Sequence, residues 1–106
     1  MVPAQVETRP TKHYRMRAAS RALRPDVEAF LMTWGTETRA AGATHVTLVR
    51  RSLPPELRGS AEAARAEGWI LVAANDGSLL TCYRRRDAVR FIRRKSDPRR
   101  RRQRGW

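Results

Sequence analysis

Residues 69 to 84 constrain this chain most. Two runs of strand formers, Trp69 to Ala74 and Ser78 to Arg84, flank the step Asn75-Asp76-Gly77. That step suits a tight turn with one residue at positive φ, so the two runs predict an antiparallel hairpin. An all-α fold has no place for such a signal, and the predicted class is α+β.

The flanking segments supply the helices and further strands. Thr11 is placed to cap a first helix on which His13, Arg17 and Arg21 recur every four residues and share one face. Pro25 opens a second helix, with Asp26 and Glu28 at its positive end. Its apolar residues Val27, Phe30, Leu31 and Trp34 follow the helical period, and Gly35 is placed to end it. The period then changes to two. Thr36 to Ala40 predicts a strand, Ala41-Gly42-Ala43 a turn, and Thr44 to Arg51 a second strand. Pro54-Pro55 begins a connection to a helical segment over Ser60 to Glu67. Beyond the hairpin, Asp87 caps a short basic helix with Val89, Phe91 and Ile92 as its apolar side. The expected architecture is two N-terminal helices on a roughly four-stranded antiparallel sheet, then a short basic helix. A flexible lead-in over residues 1–10, one domain over 11–95 and a disordered arginine-rich arm over 96–106 complete it. At 106 residues with 41% hydrophobic content, one modest core is feasible.

Charge is the compositional outlier. Lys plus Arg number 23 against 10 Asp plus Glu, a formal net charge of +13. The charge is concentrated: Arg84 to Arg104 holds 12 basic residues and two acidic ones, Asp87 and Asp97. A field of this sign attracts polyanions, and a basic helix running into a basic tail is a common form of phosphate-binding arm. Arg84, Arg85, Arg86, Arg90, Arg93, Arg94, Lys95, Arg99, Arg100, Arg101, Arg102 and Arg104 are the candidate phosphate contacts. Nearly all are arginines, whose planar fork matches phosphate oxygens and stacks on bases. Cys82 is the only cysteine, which excludes an intrachain disulfide and a cysteine-based zinc site. The longest apolar stretch, Trp69 to Ala74, is too short to span a bilayer, and no apolar leader opens the chain. A cytoplasmic location away from membranes is expected. No Asp, Glu or His set has metal-ligand spacing, and no nucleotide-loop signature occurs, so neither metal nor cofactor is expected.

Two loose motifs, His13-x3-Arg17-x3-Arg21 and Asp76-Gly77-x3-Thr81-x-Tyr83-Arg84, resemble the RelE/BrnT-like superfamily of bacterial toxins, most closely its small, uncharacterised members. The resemblance spans about Lys12 to Lys95. It implies a compact sheet carrying basic residues and, in some relatives, ribonuclease activity. Catalytic candidates are then His13, Arg17, Arg21 and Tyr83: histidine to move a proton, arginine to stabilise charge building on phosphorus. Three functions follow as expectations. The first is a module that binds structured RNA, ribosomal or transfer, with DNA as the other polyanion it could take. A toxin-like, metal-free ribonuclease is the second. The third is a cationic partner of an acidic protein such as an antitoxin. His45, in a strand without an acidic neighbour, reads as structural or surface.

Overall fold

A computed structural model describes residues 9–96 of the chain. Residues 1–8 of the lead-in expected over 1–10, and residues 97–106 of the arm expected over 96–106, lie outside the described residues. The class is α+β, as expected, with two helices before the four antiparallel strands and one after them.

The hairpin forms where the sequence places it. Strand β4 (Trp69–Ala73) pairs antiparallel with β5 (Ser78–Arg84), and Gly77 takes φ +90° in the turn between them. Strand β2 (Thr36–Ala40) turns through Ala41 and Gly42 into β3 (Ala43–Thr47), which pairs antiparallel with β4. Strand β1 (Arg9–Pro10), within the segment expected to be a lead-in, lies parallel to β5 opposite Ser78 and Leu79. The sheet order is β1-β5-β4-β3-β2. Proline at this edge costs no ladder bond if its nitrogen faces outward, the usual place for proline in a sheet.

Helix α1 (Lys12–Ser20) starts at Thr11, whose hydroxyl oxygen accepts the Tyr14 N–H at 3.1 Å and donates to the Leu79 carbonyl at 2.8 Å. One residue thus caps the helix and ties it to β5. Helix α2 (Pro25–Trp34) ends at Gly35. A 3₁₀ turn over Arg50–Ser52 replaces the expected end of the third strand, and a single helical turn, α3 (Pro55–Arg58), begins at the double proline. Helix α4 (Ala61–Ala66) is capped by the Ser60 hydroxyl, which accepts the Ala63 N–H at 3.1 Å. Helix α5 (Ala88–Ser96) closes the described chain.

Both faces of the sheet are covered. On one, Tyr14 of α1, Val27 and Leu31 of α2 and Ala63 and Ala66 of α4 meet Val46, Trp69, Leu71, Leu79 and Cys82. On the other, Ala88 and Ile92 of α5 close on Ala40 and Ile70, with Tyr83 and Phe91 at the margin. Two expectations change. Trp34 was placed on the core side of α2, yet it is 39% exposed, while Val27 and Leu31 are buried and Phe30 half-buried. The helix's last turn leads directly into the outermost strand, so Trp34 has little sheet beneath it. Strict alternation along β5 would put Tyr83 on the same face as Leu79 and Thr81. Instead a β-bulge shifts the register between Val72 and Ala73, leaving Leu80 exposed and turning Leu79 toward α1. Tyr83 faces α5.

Candidate nucleic-acid interface

The first helix and the second are joined by a reversal that positions two arginines. Ala22 takes φ +61°, and the Leu23 N–H reaches back to the Ala18 carbonyl at 2.9 Å, as in helix ends that close on a left-handed residue. Leu23 is thereby buried, and Arg21 and Arg24 flank it on the surface. From the far side come Arg65 of α4 and Arg84, the last residue of β5. Together Arg21, Arg24, Arg65 and Arg84 line a cleft of about 320 Å³, with Val27 and Trp69 among its apolar walls.

Trp69 sits directly across the ladder from Arg84, and the guanidinium carbon lies 5.9 Å from the indole centroid. Since Trp69 is only 5% exposed, it serves as a platform that orients Arg84 rather than as a surface for a base. The electrostatics are lopsided. Asp26 is the acidic neighbour: the Arg24 Nε donates to it at 3.2 Å, and an Arg65 Nη lies 3.8 Å away. The Arg24 hydrogen bond holds the Asp26 carboxyl below the usual carboxylate range. Arg21 and Arg84 have no carboxylate partner among the described residues.

A second hollow of about 510 Å³ adjoins the first through Arg84 and is lined by Ala64, Glu67, Gly68, Arg85 and Arg86. Gly68 is required there twice over. Its φ is +89°, and a Cβ would stand 2.8 Å from the Arg85 carbonyl oxygen. The Arg85 N–H donates to the Gly68 carbonyl at 2.8 Å, so β4 and β5 stay paired up to the point where the arginine run begins.

The remaining candidates divide. Arg85 lies over the Phe91 ring at 4.0 Å and grips Asp87 through Nε at 2.8 Å and an Nη at 3.3 Å. Arg94 also approaches Asp87, at 3.6 Å, and the Arg85 bond holds that carboxyl below its ordinary range. Lys95 rests its Nζ 4.8 Å from the Phe91 ring and 6.0 Å from that of Tyr83. Arg86, Arg90 and Arg93 are exposed. Arg99, Arg100, Arg101, Arg102 and Arg104 lie outside the described residues.

The catalytic candidates are not brought together as a set. His13, Arg17 and Arg21 lie exposed along α1, with Arg21 at the cleft. Tyr83 lies on the opposite side of the sheet, its hydroxyl buried and without a hydrogen-bond partner among the described residues. Burial also pushes the Tyr83 phenol and the Cys82 thiol up, which keeps both protonated at neutral pH. His45 is structural, 2% exposed beneath α5. No cluster of three or more His, Cys, Asp or Glu forms among the described residues, and none of their helices is long and apolar enough to cross a membrane.

Arg24 and Arg65 were missed as site residues. Arg65 is a lone arginine in its segment and Arg24 follows the helix that carries Arg21, and only the packing of α4 beside α2 sets Arg24 and Arg65 together. The charge run 84–86 was visible, but not that its first member joins the α1–α2 reversal. Comparisons with protein-family models, curated proteins and solved structures gave no match to this chain.

Proposed function

We propose that this domain binds structured RNA, with the arginine cleft holding backbone phosphates and the C-terminal arm extending the grip. The observation that supports this reading is the convergence of Arg21, Arg24, Arg65 and Arg84 on one concavity, with Asp26 paired to two of them. A recess at the junction of several elements suits a phosphate projecting from an irregular fold, whereas a regular duplex groove is read by a protruding helix or ribbon. Arginine forks directed at phosphate bind through counterion release, which makes affinity depend on salt.

The test is a titration of the full chain against a folded RNA and a DNA duplex over a series of salt concentrations. Arg21→Ala with Arg84→Ala should reduce the slope of log affinity against log salt by about two and weaken RNA more than duplex DNA. Unchanged slope and affinity would remove the cleft from the interface.

A ribonuclease reading keeps one point of support: Arg21 lies at the cleft, and Arg17 and His13 follow it along the exposed side of α1. The same titration, scored for RNA cleavage with a chelator present, decides it. Cleavage should then fall about 10²–10⁴-fold in His13→Ala while RNA binding persists. Intact RNA with the wild-type chain leaves a binder.

A further inference from the structure

Strand β2 is an outer strand of the sheet, and its sequence Thr36-Glu37-Thr38-Arg39-Ala40 has opposite charges placed symmetrically about Thr38. Its turn fixes which way its backbone points. Ala41 and Gly42 are both at positive φ, 52° and 80°, the type of two-residue turn that closes on a hydrogen-bonded pair, here Ala40 and Ala43. Such pairs recur at alternate residues, so Thr38 and Thr36 also bond inward, to His45 and Thr47. The N–H and C=O groups of Glu37 and Arg39 therefore point outward along the sheet edge. A row of such groups is a template for another strand.

We propose that this edge pairs with the same edge of a second copy of the chain, antiparallel, about a two-fold axis at Thr38. The outward groups restrict the register, because Glu37 and Arg39 must bond to their counterparts. With the axis at Thr38, Glu37 lies opposite Arg39 of the second copy, and the arrangement occurs twice. Each pair sets a carboxylate against a guanidinium on one sheet face, at the close spacing of directly opposed residues. A shift of two residues either way sets Glu37 against Glu37 or Arg39 against Arg39. Charge thus selects one register and selects self over an arbitrary strand.

The side chains are available for it. Glu37 is exposed and has no ion-pair partner among the described residues. Arg39 is exposed and donates one hydrogen bond, to Asn75 Oδ1, leaving further donors. Trp34, two residues before the strand, stays 39% exposed and puts an aromatic surface beside the edge, the residue type that anchors interfaces. Opposing all this is the net charge of +13 on each copy, so pairing strengthens when salt or a bound polyanion screens the repulsion. The cleft borders β5, not this edge, so the inference does not rest on the proposed function.

The experiment is sedimentation of the full chain at about 0.5 M salt, where the Debye length is only a few ångströms, over a wide concentration series. The wild type should shift from monomer to dimer, and the Glu37 and Arg39 amides should gain protection from hydrogen exchange as it does. Glu37→Arg sets arginine against arginine at both pairs and should weaken the dimer at least about tenfold. Glu37→Arg with Arg39→Glu restores opposite charges and should restore the dimer. A wild type that stays monomeric throughout with both amides unprotected overturns the proposal. So does a dimer that survives Glu37→Arg undiminished.

Discussion

At the scale of single residues, His45 has the clearest consequence for stability. It is buried beneath α5, its Nδ1 has no hydrogen-bond partner among the described residues, and Lys95 is the charged neighbour that acts on it. Burial first, then Lys95, holds its pKa below the ordinary 6.5. The unfolded chain therefore binds a proton at a pH where the folded one does not. His45 thus costs the fold nothing above about pH 6.5, and stability falls as pH drops from there toward the depressed folded value. Urea unfolding from pH 7.5 to 4.5 should show this decline. His45→Gln should flatten its upper part, where carboxylates have not yet begun to titrate. A slope that is the same in both proteins over that upper part would move the linked proton elsewhere. The chain gave little warning of this role, because the residue's burial depends on α5, more than 40 positions away, folding back across β3.

At the scale of elements, α2 shows what periodicity can and cannot say. Its apolar stripe identified the helix, and Pro25 and Gly35 mark its ends as the local chemistry requires. Depth along the stripe depends on what lies underneath. Leu31 is fully buried against the sheet, and Trp34 overhangs the edge. Leu31→Ala should cost about 2–5 kcal/mol of unfolding free energy and Trp34→Ala less than about 1 kcal/mol, by urea denaturation of the monomer. Comparable losses would mean that Trp34 packs as the bare stripe implies. The same division runs through the sheet. Strand β2, the Thr11 cap and the Gly77 turn were legible because each rests on neighbours in sequence. Strand β1 was not, since its pairing partners lie 69 residues away, and neither was the bulge that separates Leu79 from Tyr83. The site divides in the same way: the 84–86 run could be read directly, but a cleft assembled from Arg21, Arg24, Arg65 and Arg84 could not.

At the scale of the whole molecule, the proposed function divides phosphate binding between cleft and arm. Residues 98–106 carry five of the 23 basic residues and no acidic one, while the described domain supplies the cleft arginines and the exposed Arg86, Arg90 and Arg93. These contributions scale differently with salt. On that proposal the 98–106 segment releases about one counterion for each of its arginines that meets a phosphate. On the proposed function the cleft would offer up to four arginines, held in place by the α1–α2 reversal, by Trp69 beneath Arg84 and by Asp26 between Arg24 and Arg65. Deleting Pro98 to Trp106 should therefore lower the slope of log affinity against log salt by up to about four to five. The truncated chain should keep its preference for folded RNA over a DNA duplex, since that discrimination belongs to shape and not to charge count. Titrating full-length and truncated chains against both ligands separates the two parts. An unchanged slope would show that the arm makes no phosphate contact. A truncated chain that binds RNA and DNA alike would assign the discrimination to the arm and leave the cleft a source of charge alone.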